Sequence, residues 1–176
     1  MYFNIPNLLS LFRILIIPFY IYELMHNNYM YALAIFVIGT FTDLLDGFWA
    51  RRFNQVTSIG KFLDPLADKL FFLFSLSIMS YKGLVPLWFF GILLLRDIFV
   101  SIGSVIFIDR VGMKNLSPHI TGKAVNLCIF FITLFIIVDH TLHNVDLSYL
   151  YYPLYPVTIL LSGISFFIYW DRFKKI

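Results

Sequence analysis

Four aspartates stand within one short stretch, "DLLDGFWARRFNQVTSIGKFLDPLAD", which runs from Asp43 to Asp68. Asp43 and Asp46 are three residues apart; Asp64 and Asp68 are four apart. Either spacing puts its pair on one face of a helix. Two such helices side by side would bring four carboxylates together. At bilayer depth an aspartate costs on the order of 3 kcal/mol, so an uncompensated quartet is not a stable arrangement. Hard divalent cations resolve this, because they take oxygen ligands and supply the missing charge. Four carboxylates suit two such ions, an arrangement used for phosphoryl-type displacements. The competing reading is an interfacial cluster neutralised by Arg51, Arg52, Lys61 and Lys69. The residues between the acids favour a ligand. Gly47 and Gly60 let a ligand or a second helix approach the backbone closely. Ala50 keeps the same face open, and Arg51 can grip phosphate oxygens bidentately. Pro65 is expected in the first turn of the second helix, where a missing N–H is harmless.

The elements that must position these acids are apolar. Of 176 residues, 60% are hydrophobic and only 13% charged, against roughly 25% in soluble domains. Six apolar runs can be marked, at about 7–25, 29–50, 61–81, 85–108, 118–138 and 149–170. Each approaches the ~20 residues a helix needs to cross a bilayer. The joints between them, "HNN", "RRFNQVTS", "YKG", "DRVGMKN" and "DHTLHN", carry turn and polar residues. Residues 1–7 lack Lys and Arg, so the first run reads as a retained span rather than a cleaved signal. With the N-terminus inside, the inner segments hold Arg51, Arg52, Lys61, Arg110, Lys114, Arg172, Lys174 and Lys175, and the outer ones Lys82 alone. The positive-inside rule therefore predicts an all-α integral membrane protein of six transmembrane helices, N-in and C-in. Residues 1–176 are expected to form a single transmembrane domain, with the acids facing the cytoplasm. The net charge of +3 suits anionic lipid and gives no reason to expect nucleic acid. The single cysteine, Cys128, lies in an apolar run and reads as an inert thiol.

The acid-rich stretch resembles the signature of the CDP-alcohol phosphotransferases, D-x2-D-G-x2-A-R-x8-G-x3-D-x3-D. Asp43, Asp46, Gly47, Ala50, Arg51, Gly60, Asp64 and Asp68 match every fixed position. The resemblance implies the family's six-helix fold and transfer of a phosphatidyl or similar group from a CDP-linked donor to an alcohol, with release of CMP. It implies that Asp43, Asp46, Asp64 and Asp68 hold two Mg²⁺ or Mn²⁺ ions. Asp68 would also be the general base, and Asp46, Gly47, Ala50, Arg51 and Gly60 would line the CDP site. Members are often homodimers. The active site would face the cytoplasm from the cell inner membrane, or the mitochondrial inner membrane in a eukaryote.

The segments "NIPNLLSLFRILIIPFY" and "GKFLDPLADKL" resemble phosphatidylglycerophosphate synthases and their cardiolipin-synthase relatives. CDP-diacylglycerol is then the implied donor, with glycerol 3-phosphate as acceptor and phosphatidylglycerol as the alternative. An anionic acceptor needs cations, and Arg96, Lys123, Arg110 and Arg13 are the candidates. Arg96 could instead pair with Asp97, and Lys123 could snorkel to the surface. Arg96-Asp97 followed by "IFVSIGSVIFIDR" departs from the usual synthase pattern of Arg-Glu and a later Gly-Leu-Arg. With "SPHITGKAVN", it leans toward cardiolipin synthases. His140 and His143 have a zinc-compatible spacing, with Asp139 and Asp146 nearby, but lack two further strong ligands, so a solvated loop is expected there. A cation transporter also uses intramembrane carboxylates, but would want them at mid-membrane along a polar path.

Overall fold

The computed structural model describes residues 5–52, 60–111, 120–142 and 145–174; the side chains of residues 5, 6, 44, 46–52, 60–65, 104–111 and 172–174 are outside that description. The expected joints at 53–59 and 112–119 fall outside it too, as do His119 and His143.

The described chain is helical, with no strand among the described residues. Long apolar runs leave the backbone to satisfy its own hydrogen bonds, which in lipid only a helix or a closed barrel achieves. The helices are α1 Ile5–Met25, α2 Tyr29–Arg52, α3 Gly60–Tyr81, α4 Leu87–Val111, α5 Ile120–Thr141, the short α6 Ser148–Tyr151, and α7 Leu154–Lys174. The six long ones have 21 to 25 residues, or about 30–38 Å at ~1.5 Å per residue. Among the described residues, three stretches are apolar and long enough to cross a membrane: Asn7–Met25, Ile120–Thr141 and Ser148–Asp171. The apolar part of α2 is shorter, Tyr29–Asp43, because the acid-rich segment begins there.

Two boundaries differ from the sequence expectation. The sixth apolar run is broken after Tyr151. Tyr152 keeps helical dihedrals, φ −59° and ψ −44°, but Pro153 has no N–H to donate, so the hydrogen-bond ladder lapses there, whereas Pro156 falls in the first turn of α7 and is tolerated. Helix α3 begins at Gly60, so Pro65 lies in its second turn rather than its first.

The turns at one end of the bundle are closed by left-handed residues. Asn27 has φ 63° and Gly83 φ 74°. The N–H of Asn28 reaches the Glu23 carbonyl at 2.9 Å, and that of Leu84 reaches Met79 at 2.9 Å, the Schellman pattern that ends a helix. Lys82 joins the two turns: its Nζ donates to the Leu24 carbonyl and, at 2.6 Å, to Asn27 Oδ1.

Helix α1 packs against both α2 and α3, and α5 packs against α2, α3 and α7. The buried face of α1 reads Asn7, Ser10, Arg13, Ile17, Tyr20 and Leu24, polar at one end and apolar at the other. The rings of Tyr20, Phe36, Phe71 and Phe130 meet in the core at centroid distances of 5.5 to 6.2 Å. Gly39 lies one turn before Asp43; a Cβ there would stand 2.9 Å from Phe71 Cζ and 3.2 Å from Ile16 Cδ1. The missing side chain is what lets α2 seat against α1 and α3 just beneath the acids.

Candidate active site

Asp43 on α2 and Asp68 on α3 meet through Arg13 of α1. Arg13 Nη1 lies 3.0 Å from Asp43 Oδ1 and is also paired with Asp68 Oδ1. The arginine side chain is 1% exposed, while the two carboxylates are 42% and 33% exposed. The arginine thus backs the pair from inside the bundle, and the carboxylates keep faces open to solvent. Asp46 follows Asp43 by three residues on the same helix, and Asp64 precedes Asp68 by four. The side chains of Asp46, Gly47, Ala50, Arg51, Gly60 and Asp64 lie outside the described residues.

Convergence of Asp43 and Asp68 on one cation bears on the metal question. Two carboxylates from different helices, both reaching the same nitrogen, are close enough to share an ion. Their chemistry, hard oxygen with partial solvent access, suits Mg²⁺ or Mn²⁺. Lys69, one of the neutralising residues considered from sequence, turns elsewhere: its Nζ donates to Ser101 Oγ at 2.7 Å.

Asp68 also borders a cavity of about 270 Å³ between α3, α4, α5 and α7. Its polar wall carries Lys69, Arg96, Asp97, Lys123, Asn126 and Tyr169; Phe72, Leu76, Phe90, Leu93 and Ile129 are among its apolar lining. Arg96 is held at two points, with Nη1 donating to Asp97 Oδ1 at 2.5 Å and Nη2 to Ser165 Oγ at 2.9 Å. Its Nε is buried and has no hydrogen-bond partner among the described residues. A buried guanidinium N–H without an acceptor is costly unless a ligand supplies one. Gly122 lies beside this arginine: a Cβ there would stand 3.4 Å from Arg96 Nη2, at ordinary van der Waals contact. Ser101 Oγ, which accepts from Lys69, donates to the Asp97 carbonyl at 2.6 Å, so α3 and α4 are tied along this wall.

Of the four acceptor candidates, Arg96 and Lys123 share this cavity. Arg13 stands with the acids instead, and the side chain of Arg110 is outside the described residues. Asn126, Tyr169, Ser165 and Gly39 went unremarked in the sequence. The Lys123-x2-Asn126 spacing, one helical turn, was the available signal for Asn126. On the opposite end of the bundle His140 packs against Tyr29 at a tilt of 47°, centroid to centroid 5.0 Å, and its Nδ1 meets the Ile136 carbonyl at 2.9 Å. Among the described residues no group of three or more His, Cys, Asp or Glu is arranged to hold a metal.

The family profile described as CDP-alcohol phosphatidyltransferase matches residues 3–168. The chain belongs to the CDP-alcohol phosphatidyltransferase family. It is 41% identical over 150 residues to a CDP-diacylglycerol–glycerol-3-phosphate 3-phosphatidyltransferase of Aquifex aeolicus, covering 84% of this chain and 81% of that one. It is 36% identical over 128 residues to a probable CMP-forming cardiolipin synthase of Drosophila melanogaster, covering 68% of this chain and 40% of the relative. A CMP-forming cardiolipin synthase of Streptomyces coelicolor is 32% identical over 127 residues, 69% of this chain and 59% of the relative. A CDP-alcohol phosphatidyltransferase with apolar helices of this length is an integral membrane enzyme, and the resemblance carried by the eight motif positions is borne out.

Proposed function

We propose that this chain transfers a phosphatidyl group from CDP-diacylglycerol to sn-glycerol 3-phosphate, giving phosphatidylglycerophosphate and CMP. The observation that carries the reading is the position of Asp68. Its carboxylate belongs at once to the acid cluster and to the wall of the cationic cavity. A donor phosphate held at the acids and an acceptor held in the cavity would meet beside it.

Asp43, Asp46, Asp64 and Asp68 would hold two Mg²⁺ or Mn²⁺ ions, which when bound supply charge neutralisation for the pyrophosphate and the leaving CMP. Asp46, Gly47, Ala50, Arg51 and Gly60 would line the CDP head group, with Arg51 on phosphate oxygens. Asp68 would accept the proton of the acceptor hydroxyl. An aspartate is a weak base, so its contribution depends on holding the hydroxyl in line with the phosphorus, where bond formation makes that proton more acidic. The phosphorus–oxygen bond to CMP breaks as the bond to the acceptor oxygen forms. The acceptor phosphate would lie on Arg96 and Lys123, with Arg110 a further candidate. A monoester phosphate carries more charge than a lipid diester, and the cavity, at about 270 Å³, falls just below the ~300–1,000 Å³ range of ligand pockets. Both favour glycerol 3-phosphate. Phosphatidylglycerol is the second reading, supported by the cardiolipin synthases among the relatives and by the Arg96-Asp97 pattern.

The whole chain, 1–176, would act as one transmembrane domain of six spans, N-in and C-in. The acids would face the cytoplasm, and two copies would associate in the bilayer. The eight-to-one excess of inner Lys and Arg supports this orientation. The purified protein in detergent, given labelled CDP-diacylglycerol, Mg²⁺ or Mn²⁺ and each acceptor separately, should release CMP with glycerol 3-phosphate. CMP release with phosphatidylglycerol alone would give the reaction to the second reading. Release with neither would reject both.

A further inference from the structure

Arg13, a sequence candidate for the acceptor phosphate, is buried against the acids and does not line the cationic cavity. One Nη nitrogen serves carboxylates from two different helices, and the rest of the side chain is enclosed by the bundle. Asn7 and Ser10 continue the same buried face of α1 by steps of three residues, so this end of the helix buries a polar strip that includes a fixed positive charge. The Asp43 and Asp68 side chains are 42% and 33% exposed.

We propose that Arg13 is the resident counter-cation of the acid pair and that a divalent ion loads against it. The inference rests on the reading of these aspartates as metal ligands. Without an ion, Arg13 supplies the positive charge that keeps two carboxylates together at the mouth of a low-dielectric bundle. When an ion enters from the open side, the same guanidinium stands behind its ligands as a like charge and weakens its hold. Arg13 is a positioning residue in this account: it acts through Asp43 and Asp68 and touches no reacting atom. Its effect is opposite in the two states, which separates it from a merely structural arginine. Removing it should destabilise the ion-free protein and tighten ion binding together. Even with full water screening, repulsion between a unit charge and a divalent ion a few ångströms away is worth roughly tenfold in affinity.

The test is a Mn²⁺ titration of the detergent-purified full chain followed by electron paramagnetic resonance, with melting temperature measured with and without Mn²⁺. Arg13→Met should bind Mn²⁺ about tenfold more tightly than the parent, melt lower without ion, and gain more from added Mn²⁺. Arg13→Lys keeps the charge and should stay within about threefold of the parent affinity. If Arg13→Met does not fold without ion, purification in Mn²⁺ followed by competition with a chelator gives the same affinity comparison. Equal or weaker Mn²⁺ binding by Arg13→Met overturns the inference. Absence of Mn²⁺ binding by the parent protein instead overturns the reading of the aspartates as metal ligands.

Discussion

Replacing Arg96 with alanine should separate acceptor binding from every other step. The guanidinium is anchored to Asp97 and Ser165 and presents a buried Nε with no partner among the described residues. A hydrogen bond to a charged group contributes about 1.5–3 kcal/mol, and ~1.4 kcal/mol is a factor of ten. Loss of the arginine should therefore raise the KM for glycerol 3-phosphate by about 10- to 100-fold. The KM for CDP-diacylglycerol should change by less than about twofold, because the proposed mechanism holds the donor at the acids rather than on this wall. Folding should suffer little, since Asp97 is 39% exposed and can rehydrate once its partner is gone. The assay is CMP release with one substrate varied at saturation of the other, alongside melting temperature. Ser165→Ala removes only one anchor of the guanidinium and should give a smaller rise in the same KM. Equal increases for both substrates, or a drop in melting temperature with a parallel fall in kcat, would refute the reasoning and leave Arg96 a structural ion pair.

Asp68→Asn should lower turnover by about 10²- to 10⁴-fold, the usual contribution of a general acid or base, measured at saturating substrates; near-normal turnover with metal still bound would remove Asp68 as the base. Gly39→Ala forces a Cβ against the buried Phe71 ring, so stability should fall by about 1–3 kcal/mol, read as a lower melting temperature. Lys82→Met breaks the bonds to Leu24 and Asn27 that join two turns far from the acids, and should cost about 1 kcal/mol of stability without altering either KM. Chelation by EDTA should abolish CMP release, and Mg²⁺ or Mn²⁺ in excess should restore it.

Periodicity and charge carried much of this protein, and their failures have physical causes. Apolar runs located the long helices to within a few residues, because in a hydrocarbon setting length and composition leave little choice. The break at Tyr152 and Pro153 was written in the chain but outweighed by the surrounding apolar residues. The aspartates were legible because spacing and intervening small residues are local properties. The company they keep was not. Arg13 lies 30 positions before Asp43 and 55 before Asp68, and only the packing of α1 against both α2 and α3 brings the three together. Nothing local marks Gly39, because Phe71, whose ring lies against it, is 32 positions away in the chain. Arg96 and Lys123 were singled out for being charged within apolar runs, and they do share a cavity. Ser165 and Tyr169 carry no such mark, because a hydroxyl in a membrane helix usually bonds its own backbone, as Thr158 does to Leu154.

The most direct test of the central claim is the number of divalent ions bound to the detergent-purified chain in the presence of CDP-diacylglycerol, counted by Mn²⁺ titration. Two ions per chain are expected, close enough to couple magnetically, with the coupled signal lost in Asp43→Asn and in Asp64→Asn. A chain that releases CMP at full rate with no bound ion, or whose ion count is unmoved by both substitutions, would contradict it.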